Sequence, residues 1–355
     1  MNAKSILGDT PKTFISANGK NGFFSLYEEV FQTENFDRIY VIFGGPGTGK
    51  STFLRTVAAK SRENGVTVEE IACSSDPDSL DGIILTTKEK RIGILDGTPP
   101  HGRIITAPAL CEEMIDLGAF WDSARLSQYR QTILSLGEKK KRAYARAYAL
   151  LSALGSLWEE RRIAVTPHFD TEKAKRQIKH KIGTKKQNGY AEYRLLRSFS
   201  GQGEVLLPPR GENVQNLLLI GGNQVAAEIY LSYFEKVLRE LHVDRTVFLS
   251  PLDGKSVDAI YLKDTQTLLL KESLRQTKTT GRRIVADRFF TSHIEDSREQ
   301  RVCFDTVKEL ALSALRDAKE AHAAIEEYYI KCMDFEALDN FRQKKTEEIL
   351  SLLLQ

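Results

Sequence analysis

The sequence predicts an α/β chain of two tandemly duplicated halves, each a mostly parallel sheet with flanking helices and a helical cap, and three observations carry that expectation. The first is the apolar run Tyr40 to Phe43, followed at once by Gly44, Gly45, Pro46, Gly47, Thr48, Gly49, Lys50 and Ser51, a full G-x-x-x-x-G-K-[ST] pattern. The second is a self-match in which Gly221 and Gly222 fall on Gly44 and Gly45, and the register then holds without a gap from Leu231 on Leu54 to Ile260 on Ile83. The third is length. A chain of 355 residues exceeds what one core usually serves, and two halves fall in the common domain range. A period of half the chain means duplicated domains, since solenoid repeats run about 20 to 50 residues. Each half is therefore expected to be one α/β domain, residues 1–190 carrying the loop and a basic connector (171–190), and 191–355 forming a degenerate repeat.

In chain order, Tyr40 to Phe43 are β-branched or aromatic and bounded by glycine, which predicts a buried strand. Phe53, Leu54, Val57 and Ala58 then put an apolar stripe on a helix. The loop between them lies at a helix N-terminus, where free N–H groups and the dipole favour anions. Small residues let the loop turn its N–H groups around a triphosphate, Lys50 reaches the β and γ oxygens, and the Ser51 hydroxyl goes to Mg²⁺. Gly44 to Thr52 are thus the expected nucleotide-binding residues, with ATP and Mg²⁺ as the implied ligands.

Val66 to Ala72 predicts a second strand, followed by the polar stretch CSSDPDSLDG. Asp76, Asp78 and Asp81 there are candidates to accept a proton or to order the magnesium shell, or else to cap the next turn. Asp81 leans to the structural role because its counterpart Asp258 persists in the copy. After what reads as one intervening strand, Ile92, Ile94 and Leu95 end in Asp96, an arrangement that sets a carboxylate beside the phosphate loop to hold magnesium. His101 follows two prolines in a stiff loop. Residues 110–165 read as helical, with Tyr144, Tyr148, Leu151 and Trp158 marking a buried face and Arg125, Arg130, Arg142 and Arg146 on polar sides. Helices near 302–331 and from Phe335 to Leu354 would cap the second sheet.

In the copy Ala227 stands where Lys50 does, Glu228 where Ser51 does, and Lys271 near the place of Asp96. A carboxylate repels phosphate, so this half is expected to be silent for Mg-ATP. Net charge is +3, yet Thr171 to Arg197 alone holds six lysines and three arginines against Glu172 and Glu192, with Tyr190 and Tyr193 available for stacking. Charge runs usually face water, which favours a solvated connector over a nucleic-acid contact. Cys73, Cys111, Cys303 and Cys332 form no C-x-x-C pair and are expected as reduced thiols. No apolar stretch is long enough to span a bilayer, and the sequence reads as cytoplasmic.

GGPGTGKST, CSSDPDSLDG and DGTPPH in this order, with the tandem half and the late YYIKCMDF stretch, resemble a group of bacterial tandem P-loop proteins labelled ATPase or nucleotide kinase. The likeness covers nearly the whole chain. It implies two P-loop NTPase domains in which Gly44 to Thr52, Asp96 and the Ser/Asp cluster match the motifs; this chain departs where members can carry a second good loop. Two functions follow. One is Mg-dependent ATP hydrolysis or γ-phosphoryl transfer to a small-molecule acceptor, with Lys50, Asp96, Asp76 and Asp78 as catalytic candidates and Ser51 and Asp96 on the metal. The other is an ATP-gated interaction protein whose nucleotide state controls a protein or nucleic-acid partner.

Overall fold

The computed structural model describes residues 12–100, 103–182, 188–207, 214–275 and 281–355. The first repeat runs β1 (Lys12–Thr13), a hairpin of β2 (Ser16–Gly19) and β3 (Gly22–Ser25), the short helix α1 (Tyr27–Val30), β4 (Arg38–Phe43), α2 (Lys50–Glu63), β5 (Thr67–Ala72), β6 (Leu80–Thr86), β7 (Arg91–Asp96), β8 (Glu112–Asp116), α3 (Ser123–Ser127), α4 (Arg130–Val165) and α5 (Thr171–Lys181). The second runs β9 (Ala191–Arg194), a hairpin of β10 (Arg197–Ser200) and β11 (Gly203–Leu206), β12 (Asn216–Gly221), α6 (Gln224–Glu240), β13 (Arg245–Leu249), β14 (Val257–Leu262), β15 (Thr267–Lys271), β16 (Arg282–Val285), α7 (Arg298–Ile330) and α8 (Phe335–Leu354). Two six-stranded sheets result, β1-β5-β6-β7-β4-β8 and β9-β13-β14-β15-β12-β16. Strand for strand the order is the same, so the duplication extends to the topology.

Both sheets are mixed but mostly parallel, β6 in the first and β14 in the second running against the other five strands. In the first, β1–β5, β4–β7 and β4–β8 are parallel, while β5–β6 and β6–β7 are antiparallel. The cause is β6: Thr87 to Lys90 close a tight turn onto β7, with the Thr87 N–H donating to the Lys90 carbonyl at 2.9 Å, and a turn this short can join only antiparallel strands. Two strands, not one, therefore separate α2 from Asp96. Residues 110–165 are likewise not wholly helical, because Glu112–Asp116 forms β8 and pairs with β4. Its core-facing residues are few, Met114 being exposed, as an edge strand allows.

The central helix of the first repeat buries a stripe of Phe53, Leu54, Val57 and Ala58, all fully inside, against Ile42, Ile83 and Ile94 of the sheet. Truncating one such large side chain costs about 2–5 kcal/mol, so this face fixes where α2, and with it the Gly44–Gly49 loop, must sit. The outer side of the same core is closed by Leu338, Ile349 and Leu353 of α8, which comes from the other end of the chain. Reciprocally, α5 lays Ala174 and Ile178 into the core shared with Tyr230, Phe234 and Val237 of α6. The last helix of each repeat thus packs on the opposite sheet, contrary to the expectation that Phe335–Leu354 caps the second.

The two expected caps are one shared structure. α4 and α7 run antiparallel, with Tyr129 on Tyr328 (5.0 Å between ring centroids) at one end and Trp158 on Phe304 (5.3 Å) at the other. Between them Ala147, Leu151 and Leu154 meet Ala311, Leu312 and Leu315. Small residues alternating with leucine let the two helices approach closely. The sheets are tied where the repeats begin: Phe14 and Leu195 exchange both backbone hydrogen bonds, at 3.0 and 2.8 Å. Asn18 of β2 donates to the Phe199 carbonyl at 2.9 Å, and Ser198 of β10 to the Ser74 carbonyl at 3.0 Å.

Four cations of the basic segment are answered from within. Lys173 donates to the Arg288 carbonyl, Lys175 pairs with Glu240 at 3.2 Å, Arg194 with Glu69 at 2.7 Å and Arg197 with Asp258 at 2.6 Å. Tyr193 packs on the core and Tyr190 is exposed. Residues 183–187, with Lys185 and Lys186, lie outside the described residues, as does His101. All four cysteines are free thiols. Among the described residues no helix is long and apolar enough to cross a membrane.

Candidate functional site

The loop Gly44–Gly49 leaves the C-terminal end of β4 and enters α2, whose first residue is Lys50. Positive φ at Gly47 (72°) and Gly49 (74°) turns the backbone over. A Cβ at Gly47 would also meet Ile330 at 2.8 Å, so glycine is required there twice, by conformation and by space. No side chain caps α2, and its first turn holds no acidic residue. Its leading N–H groups point at a cleft of about 880 Å³. The loop, Lys50, Ser51, Thr52, Asp76, Asp81 and Asp96 line that cleft.

Lys50 folds back over the loop: its Nζ donates to the Gly44 and Gly45 carbonyls at 2.6 and 3.0 Å and lies 3.6 Å from Asp96 Oδ2. Asp96 ends β7 and accepts from the Thr98 N–H at 2.8 Å, while the Thr98 hydroxyl donates to the Gly44 carbonyl at 2.8 Å. Thr48, buried, donates to the Gly45 carbonyl at 3.0 Å and holds the loop's shape. The Ser51 hydroxyl accepts from the Leu80 N–H at 3.0 Å, which leaves its lone pair and proton for a ligand in the cleft. The β6–β7 register, with Gly82 opposite Leu95, brings Asp81 beside Asp96 at the strand ends. Burial first, then the Asp81 carboxylate, push the Cys73 thiol well above its usual range, which makes it a poor nucleophile.

The Ser/Asp turn divides. Asp76 lines the cleft, accepts from Ser79 and Gln202, and pairs with Lys319 of α7 at 2.8 Å. Burial would raise its carboxyl, but those donors outweigh it and hold it below the usual range, so Asp76 is ionised at neutral pH. Asp78 is exposed, accepts from Gln202 at 2.9 Å, and is not among the cleft residues. Of the catalytic candidates, then, Lys50, Asp96 and Asp76 share one cavity and Asp78 stands outside it.

The opposite wall comes from the shared helix pair: Lys140, Tyr144 and Tyr148 from α4, and Lys319, His322 and Glu326 from α7. Tyr148 donates to Asn18 at 3.0 Å and Tyr144 reaches Ser75 at 3.3 Å, so the tyrosine stripe faces both core and cleft. Glu326 Oε1 accepts from the Gly47 N–H at 3.1 Å. Sequence reading did not single out these α7 residues, because antiparallel packing brings together positions roughly half a chain apart; the local signal was the lysine run preceding Tyr144, on the same helix stripe.

The equivalent place in the second repeat is filled by the protein itself. α6 begins right after Gly222 and Asn223, with no loop, and the Asn223 side chain caps the Val225 and Ala226 N–H groups. Asp287 accepts from the Asn223 N–H at 3.0 Å, and a Cβ at Gly222 (φ 100°) would collide with that carboxylate. Ala227 and Glu228 replace Lys50 and Ser51. Lys271, at the strand position of Asp96, pairs with Glu228 at 3.1 Å and Asp258 at 2.8 Å. The charge pattern is inverted: the Glu228 carboxylate stands on the helix and the Lys271 ammonium on the strand.

No family model, curated protein or solved structure matches the chain.

Proposed function

We propose that this chain is a P-loop NTPase, duplicated in tandem with one working site, which binds ATP with Mg²⁺ at Gly44–Thr52 and hydrolyses it or passes its γ-phosphoryl group to a small acceptor. One observation carries the reading. Two topologically equivalent helix N-termini differ in that α2 is left uncapped above an open cleft with Lys50 beside it, whereas α6 is capped by Asn223, covered by Asp287 and provided with its own ammonium. The protein satisfies one anion site internally and leaves the other for a ligand. Lys50 would exchange its two loop carbonyls for phosphate oxygens, a gain in charge complementarity. Ser51 and Asp96 would hold the metal, whose chemistry is to neutralise charge developing on the transferred group. Asp76, ionised and tied to Lys319, is a weak base and suits orienting an acceptor by hydrogen bonding.

Asp96→Asn is expected to lower turnover by about tenfold or more while ATP affinity changes by less than about threefold, because the metal acts chiefly on the transition state. Steady-state kinetics with parallel calorimetry read the split; unchanged turnover would take the metal role from Asp96.

The second reading, nucleotide control of a partner through the helix pair, is favoured by Glu326 on Gly47. A carboxylate on a loop amide opposes an incoming phosphate, so ATP must displace the end of α7. Glu326→Gln is expected to tighten ATP binding by roughly fivefold, the worth of one like-charge contact at a half-exposed site. Unchanged affinity in calorimetry would remove Glu326 from the loop's control.

A further inference from the structure

We propose that Lys140 and His322, one from each helix of the shared pair, form a second anion subsite across the cleft from the phosphate loop, which receives a phosphoryl group. The inference rests on the nucleotide reading above, since it takes the loop as the place where the ligand's other end is held.

The cations of the cleft are unequally paired. Lys50 lies 3.6 Å from Asp96, and Lys319 lies 2.8 Å from Asp76. Lys140 is half-buried in the same cleft, and among the described residues no carboxylate stands within 4.0 Å of its Nζ. Its polar neighbour is the His322 ring, with Nζ 3.5 Å from Nδ1. Burial pushes the Lys140 amine below its usual range. A partly desolvated ammonium without a counter-ion costs free energy that a bound anion would restore.

His322 is built the same way. Burial first, then Lys140 and Lys50, push its pKa down to about 4, against the opposing pull of Asp76, so the ring is neutral at physiological pH. With Nδ1 facing an ammonium, which can only donate, the ring's proton belongs on Nε2, and the ring can itself donate to an anion. Lys140, His322 and Lys50 therefore line one cleft with three donors, two of them charged, and of the carboxylates that line it with them Asp76 is engaged by Lys319, Glu326 by the Gly47 N–H and Asp96 lies beside Lys50, with Asp81 next to Asp96 at the strand ends.

The phosphoryl group has two sources with the same chemistry: the γ-phosphate of a nucleotide on the loop, or the phosphate of a second, phosphorylated small molecule. Titration calorimetry on the full chain separates them, using ATP, ADP, and inorganic phosphate added to ADP-loaded protein. In Lys140→Ala, ATP affinity falling about tenfold with ADP within about threefold assigns the subsite to the γ-phosphate. Loss of phosphate binding to the ADP-loaded protein, with ATP affinity kept, assigns it to a second ligand. Lys140→Arg should restore whichever affinity was lost. His322→Leu serves as the second variant, expected to shift the same affinity in the same direction, should Lys140→Ala lower the ligand-free melting temperature. ATP, ADP and phosphate all binding both variants as they bind the wild type would overturn the subsite alone. Wild-type protein that binds no nucleotide would overturn the function reading and the subsite with it.

Discussion

Lys50→Ala should abolish the stabilisation that Mg-ATP confers on the wild-type chain, which amounts to ~2.7 kcal/mol at 100 times the dissociation constant. The variant itself should fold, because Lys50 makes its hydrogen bonds to two loop carbonyls and lies at the cleft, outside the packed stripe of α2. Its loss leaves Asp96 beside the loop without the nearby ammonium, which adds repulsion to a triphosphate on top of the missing attraction. Thermal unfolding with and without Mg-ATP reads the difference, and calorimetry on the wild type should give one site per chain. Two equal sites would contradict the reading, because Asn223, Asp287 and Lys271 would all have to leave their present partners to admit a second nucleotide.

The loop at the head of α2 was legible because its features are local: eight consecutive residues, Gly44 to Ser51, carry the conformation, the charge and the hydroxyl. The duplication was legible for a related reason, since the repeat register on α2 and α6 has no gap; both helices end at equivalent positions, Asn64 and Leu241. The start of α6 was hidden. Gln224 begins the helix a full turn before the place of Lys50, and nothing in the alignment of residue types reveals that the loop has been absorbed into the helix. β6 was missed because LDGIILT carries both a turn-like Asp-Gly and an apolar run, and only the tight return at Thr87–Lys90 decides for an antiparallel strand. The exchange of α5 and α8 between sheets lies further from reach. Each helix has an apolar stripe, but a stripe states that a face is buried, not which sheet buries it.

Removing Lys271 should destabilise the chain more than any single change in the Gly44–Ser51 loop. Its ammonium lies between Glu228 and Asp258, at 3.1 and 2.8 Å, and all three side chains are nearly or wholly excluded from water. Lys271→Ala leaves two buried carboxylates, one of them still answered by Arg197 at 2.6 Å and the other by the Trp158 N–H at 2.9 Å. Breaking a buried ion pair on one side costs about 3–5 kcal/mol, most of it the desolvation of the charge left behind. Lys271→Met combined with Glu228→Leu should cost much less, since both charges leave together. The pH dependence has a definite sign. Burial would raise the Asp258 carboxyl, but Arg197 and Lys271 outweigh it and hold it at about 2, below the ordinary unfolded value of about 3.9. Its contribution, on the order of 2–3 kcal/mol, is therefore present above about pH 4 and is lost as pH falls through about 2. Urea unfolding across that window should show the loss in wild type and a flatter acid limb in Asp258→Asn. If instead Lys271→Ala unfolds at the wild-type urea midpoint, the ammonium is not what stabilises the buried carboxylates of the second repeat.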